Sequence, residues 1–262
     1  VANPIRKLIK PKDPERRMEL VEHLAELRTR IMRIGLWIIL GGCIGYYKFQ
    51  FIYNFIFAPM QAASPGKPIQ LRFDTFTAPF FVTLEISVVA GAILMAPFVM
   101  MEFIGFFGPA LTPEEKRPLR LLAPMSMVLF FSGVSLAYWV SKYAINWFLG
   151  FIDLFPNGIL MQDPRAYVVF MLKMMGIFGV VFQLPVVLAF LAWIGLLRAD
   201  GMRRTWRTAV VVISIVGLII TPSNDIPTMM MMTLPVVLLY LGSIWMVALI
   251  ERKRFPDRIV SE

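Results

Sequence analysis

The sequence predicts an all-α integral membrane protein: six transmembrane helices, several of them kinked, in a concave bundle with both termini cytoplasmic. Three observations predict it. Six apolar stretches, at 31–57, 77–107, 119–145, 168–195, 205–221 and 227–250, punctuate the chain, and a bilayer-spanning helix needs about 20 such residues. Hydrophobic residues make up 58% of the chain and charged residues only 16%, against about 25% charged in soluble domains. The basic residues also sort to one side of the stretches.

Nine Lys and Arg, from Arg6 to Arg33, precede or open the first stretch. Lys116, Arg117 and Arg120 follow the second, Arg198, Arg203, Arg204 and Arg207 stand between the fourth and fifth, and Arg252, Lys253, Arg254 and Arg258 end the chain. With an even number of spans all of these share one face, which the positive-inside rule assigns to the cytoplasm. Only Lys48, Lys67, Arg72, Lys142, Arg165 and Lys173 remain. Anionic headgroups attract each such cation by about 1 kcal/mol, which accounts for the net charge of +9 without nucleic acid. A single cysteine, Cys43, excludes a disulfide framework within one chain. The first 30 residues are too charged to contain an apolar signal core, so the first span is expected to direct insertion. One membrane domain is expected over 1–262: an amphipathic segment at 1–30, the bundle at 31–250 and a cytoplasmic tail at 251–262.

The elements follow in order. Asp13-Pro14 reads as an N-cap followed by Pro at the first helical position. Leu20, Leu24, Leu27 and Ile31 then recur at helical spacing, a surface helix running into the first span. That span is Ile31–Tyr47, closed by the interfacial pair Tyr46 and Tyr47. The aromatic stretch 49–57 is expected to bend along the outer surface and to end at Ala58-Pro59-Met60. Asp74-Thr75 caps the second span, which contains Pro97. Thr112-Pro113-Glu114-Glu115 satisfies a capping box and opens the third, which contains Pro124. Asp163-Pro164 opens the fourth, which carries Gly176, Gly179, Gln183 and Pro185. The apolar part of the fifth, Thr205–Thr221, is about 26 Å long at 1.5 Å per residue, short for a core of about 30 Å. A turn over Thr221–Asp225 leads into the sixth, with Pro235. The prolines are expected to kink their helices and, with the loops 59–75 and 150–167, to shape a concave wall.

No constellation for catalysis appears. His23 is the only histidine, so a His-rich metal site is excluded; no Walker loop or Gly-x-Ser-x-Gly occurs, and no cofactor is called for. Met229–Met232 spread around a helix and cannot converge on a metal. Lys173 and Glu85 lie toward the outer ends of their spans, where a Lys snorkels or faces a wet cavity. Gly176, Gly179 and Gln183 fall on one helical face, where glycines admit a second helix and the amide bonds across the contact. That second helix is either part of the same bundle or a partner's.

The string His23-Leu24-Ala25-Glu26-Leu27-Arg28-Thr29-Arg30 resembles the opening motif of the TatC family, the multispanning subunit of the twin-arginine protein translocase. Further strings match in order: Ala58-Pro59; Phe106-Phe107-Gly108-Pro109-Ala110-Leu111 with Glu115-Lys116-Arg117; Phe178 to Gln183-Leu184-Pro185; and Thr221-Pro222 with Asp225. The chain departs from the family at Met60, at Gln183 where many relatives carry Glu, and in the longer turn before Asp225. The resemblance implies a cupped fold and a non-enzymatic receptor and core subunit that exports folded proteins across the cytoplasmic membrane on the proton gradient. It implies binding of twin-arginine signal peptides through Glu26 and Glu115 with Leu24, Arg28 and Phe106. It also implies contacts to single-span TatA-type and TatB-type subunits, and to further copies of the chain, through Gln183, Pro59, Asp225 and Met229. Carboxylates suit paired guanidiniums because Arg presents a planar fork of donors that Lys lacks. The bland alternatives are an intrahelical Glu26–Arg30 pair and a capping role for Glu115. A secondary transporter, the second class, needs paired broken helices and charged groups at mid-membrane; a scaffold without a ligand is the third.

Overall fold

The computed structural model describes residues 14–63, 69–107, 119–155, 160–220 and 226–254. Helix α1, Pro14–Tyr47, carries the amphipathic segment into the first apolar stretch without interruption; Asp13, the predicted cap, lies outside the described residues. A single turn residue, Lys48, separates it from α2, Phe49–Ala63.

Helix α2 does not end at Ala58-Pro59-Met60 as the sequence predicts; Pro59 is buried inside it. A proline removes the hydrogen bond to the carbonyl four residues earlier, here that of Phe55. Tyr138 supplies the missing donor: its hydroxyl donates to the Phe55 carbonyl at 3.0 Å, and its ring stacks on Phe55 with centroids 4.3 Å apart. Tyr167 likewise donates to the Ile56 carbonyl at 2.8 Å. Tyr138→Phe keeps the stack and removes the donor, so unfolding in detergent should show a loss of about 1 kcal/mol; unchanged stability would mean the carbonyl needs no partner.

Helix α3, Ala78–Phe107, runs antiparallel to α1. Gly41 faces Gly91 backbone to backbone, and Gly45 faces the Ser87 carbonyl. Trp37 stacks on Phe98 further along, with centroids 4.6 Å apart. Small residues four apart on both helices let the two backbones meet. Helix α4, Leu119–Gly150, is followed by a short 3-10 turn, Phe151–Leu154.

Helix α5, Pro164–Val181, starts as predicted: the Asp163 carboxylate accepts from the Arg165 amide at 2.9 Å. It stops two residues before α6, Leu184–Trp193, with Pro185 in the first turn of α6. Pro97, Pro124 and Pro235 instead lie inside uninterrupted helices. Helix α6 ends at Gly195, whose φ of 79° is the left-handed conformation of a helix terminus. The Leu196 amide then returns to the Leu191 carbonyl at 3.0 Å.

Helix α7, Ala199–Ile220, is capped from a distance: the Glu251 carboxylate accepts from the Ala199 amide at 3.1 Å. Glu251 belongs to the last helix, α8, Ile226–Arg254. Helices α3, α4, the α5–α6 pair and α8 contain stretches long and apolar enough to cross a bilayer, Ala78–Phe106, Leu122–Gly150, Pro164–Trp193 and Met229–Arg254.

Two strands that the sequence did not announce, β1 (Gln70–Leu71) and β2 (Met161–Gln162), pair in parallel, Gln70 with Met161 and Leu71 with Gln162. They tie the segment after α2 to the segment before α5. Beneath them Ile56, Phe57, Val82, Ile86, Tyr167 and Met171 form one core between α2, α3 and α5. A second core joins Phe130, Val134, Met174, Phe178 and Met232 of α4, α5 and α8. At the other end of the bundle Leu122 packs with Val186, Ala189 and Ile250. The described chain therefore enters and leaves the bundle at the same end.

Candidate functional site

That end carries the polar cluster. Helix α1 presents Glu26 and Arg30 one turn apart, and the last turns of α3 lie against them. The Arg30 guanidinium is largely enclosed. Its Nε and Nη2 donate to Glu26 Oε1 at 3.0 and 2.8 Å. Its Nη1 donates to Glu102 Oε2 and to the Glu102 carbonyl, both at 3.1 Å. It lies across Gly105, where a Cβ would strike it. Arg33 reaches the same Glu102 oxygen at 3.8 Å from a more exposed position. The side chains of Arg30, Glu26 and Glu102 retain 19, 26 and 15% of their exposure, so these are half-buried pairs in which water screens less than at an open surface.

The predicted i,i+4 pair between Glu26 and Arg30 is thus made, but as part of a cluster across two helices. Leu24 and Arg28 are exposed on the same segment of α1, and Phe106 is half-buried at the end of α3. Glu115 lies outside the described residues; the chain leading to it leaves α3 at Phe107, just past the Glu102 that binds Arg30. The sequence reading missed Glu102. The only signal was a carboxylate near one end of an apolar span, which has no neutral role in lipid and points to a partner.

The second predicted polar site lies inside the bundle. Gln183 is buried. Its Nε2 donates to the carbonyls of Ser126 and Gly179 at 3.2 and 3.3 Å, and its Oε1 accepts from the Ser126 hydroxyl at 2.8 Å. Gly179 packs on the Phe130 ring, whereas Gly176 faces open space. The amide therefore joins α4 to the α5–α6 junction in this chain. Gln183→Leu should lower stability by about 1 kcal/mol, the scale of an interhelical polar contact in a membrane, read by unfolding in detergent; no change would mean that the Ser126 contact carries no weight.

Pro59 is buried in α2, and Met229 is half-buried at the start of α8. Asp225 lies outside the described residues. Of the methionine run, Met232 is buried while Met230 is exposed, as expected for residues spread around a helix. Glu85 pairs with Arg165 at 3.1 Å, joining α3 to α5, and Lys173 is exposed without a partner among the described residues.

The fold and the site define a polytopic α-helical membrane protein with a charged cluster at one end. Residues 22–235 match the family described as Sec-independent protein translocase protein (TatC). A chloroplastic TatC of Arabidopsis thaliana is 34% identical over 247 residues, covering 92% of this chain and 69% of that protein. The TatC of Aquifex aeolicus (strain VF5) is 31% identical over 242 residues, covering 90% and 98%. A crystal structure of the twin-arginine translocase receptor TatC superposes with a TM-score of 0.74 at 30% identity, covering 88% of this chain and all of that one. The chain belongs to the TatC family of Sec-independent protein translocase proteins.

Proposed function

We propose that this chain is the receptor and core subunit of a twin-arginine translocase, which binds paired-arginine signal peptides at its cytoplasmic end and exports their folded precursors across the cytoplasmic membrane on the proton gradient. The observation that carries this is Glu26: it stands in the motif that resembles the family's opening string, half-buried and mounted by Arg30 at the end where the described chain enters and leaves the bundle. Six crossings with cytoplasmic termini follow from the charge asymmetry, α1–α2 and α5–α6 each counting as one.

Glu26 and Glu115 bind the two guanidiniums, with Leu24, Arg28 and Phe106 around them. An exposed ion pair contributes only about 0–1 kcal/mol, and even the better shielded pair at Glu26 does not hold a peptide alone, so the apolar part of the signal supplies further affinity by packing on the spans. Single-span TatA-type and TatB-type subunits, and other copies of this chain, pack against the surface near Pro59, Gln183, Asp225 and Met229. Because the Gln183 amide is satisfied internally, a partner there meets an apolar helix face rather than a free amide.

The test is recovery of a paired-arginine precursor on the purified chain, compared with the same precursor carrying Lys-Lys. Preferential recovery of Arg-Arg is expected; equal recovery of both, or of neither, would end the receptor reading.

A further inference from the structure

We infer that Arg30, held by Glu102, is a positioning residue that aims Glu26 at the incoming guanidinium and so sets the preference for arginine over lysine. The inference rests on the proposal that Glu26 binds the signal. Both guanidinium contacts to Glu26 end on the same oxygen, Oε1; among the described residues Oε2 has no partner. The carboxylate is thereby fixed in orientation while one oxygen stays unspent.

Arg30 itself has little freedom. Its third nitrogen is held by a carboxylate and a backbone carbonyl of α3, and Gly105 leaves room for it where any side chain would intrude. Two carboxylates and two guanidiniums balance in the cluster, but Arg33 reaches only Glu102, at 3.8 Å from an exposed position, and leaves Glu26 to Arg30 alone. A carboxylate oxygen held in one direction rewards a donor with fixed planar geometry, which arginine has and the freely rotating lysine ammonium lacks. A carboxylate free to rotate must first be ordered by the incoming guanidinium, which costs part of that advantage.

The sign of the effect separates this from simple electrostatics. Removing a cation beside a cation-binding site should tighten binding if only charge mattered. The full chain in detergent, with a synthetic Arg-Arg signal peptide and its Lys-Lys counterpart, gives two affinities and their ratio. Arg30→Gln should weaken Arg-Arg binding about tenfold, the scale of one charge-assisted hydrogen bond, and bring the ratio toward one. Glu102→Gln, which keeps the shape and removes the charge anchoring Arg30, should move both readouts the same way by less and covers the case in which Arg30→Gln does not fold. Equal or tighter Arg-Arg binding by either folded variant, or a parallel loss for both peptides at constant ratio, would overturn the inference. Wild-type binding by Glu26→Ala would instead overturn the receptor role of Glu26 beneath it.

Discussion

Gly91→Leu is expected to abolish the folded protein. A Cβ at Gly91 meets the Gly41 carbonyl and the Gly42 amide nitrogen, all backbone, and the reciprocal Cβ at Gly41 meets the Gly91 carbonyl. Overpacking against side chains that can rotate costs about 1–3 kcal/mol. Here the neighbours are two helix backbones, so α1 and α3 must separate along their whole contact, including the Trp37–Phe98 stack and the Arg30–Glu102 bond. The loss should therefore exceed that range and be read as absence of a monodisperse peak on size-exclusion chromatography. Gly35→Leu is the control, because nothing lies within 4 Å of a Cβ at that position of α1, the helix that carries Gly41. If Gly91→Leu ran like Gly35→Leu, the close approach of α1 and α3 would be wrong.

The second large effect is on binding. Glu26→Ala should weaken a paired-arginine peptide about tenfold while the chain still folds, because Arg30 keeps both the carboxylate and the carbonyl of Glu102 and is not left as an unpaired buried charge. Glu115→Ala should act in the same direction, costing more peptide binding than folded protein. The double variant should lose more binding than either single variant and keep only the affinity of the signal's apolar part. Titration of a labelled peptide against each purified variant, with thermal unfolding in parallel, separates the two readouts. Unchanged affinity in Glu115→Ala would remove that residue from the site, and a matched loss of stability in Glu26→Ala would make it a structural residue.

The parts of this molecule visible in its sequence were those governed by local chemistry. The apolar stretches located the helices within a few residues, because an exposed backbone in lipid has to satisfy itself within one helix. Asp163-Pro164 marked a helix start because capping is decided by neighbouring residues. What escaped depended on contacts distant in the chain. Pro59 reads as a helix end, and α2 continues through it only because Tyr138 covers the freed carbonyl. Glu251 caps a helix that begins over fifty positions earlier. The parallel pairing of β1 with β2 joins residues from two separate loops, and no run of two residues announces a strand. Gly41-x-x-x-Gly45 and Ser87-x-x-x-Gly91 were present as patterns; their register against each other was not. At the candidate site, Glu26 was legible from its motif, while Glu102 became visible only when α3 was laid against α1.

The central claim is that paired arginines dock at the end of the bundle where Arg30 bridges α1 and α3. A photoreactive residue placed at the exposed Leu24 position, with a second chain probed at exposed Phe73 beside the paired strands, tests it most directly. The Leu24 probe should capture an Arg-Arg precursor strongly and its Lys-Lys version weakly, and the Phe73 probe should capture neither at first contact. Equal capture of both precursors at Leu24, or first capture at Phe73, would contradict the account.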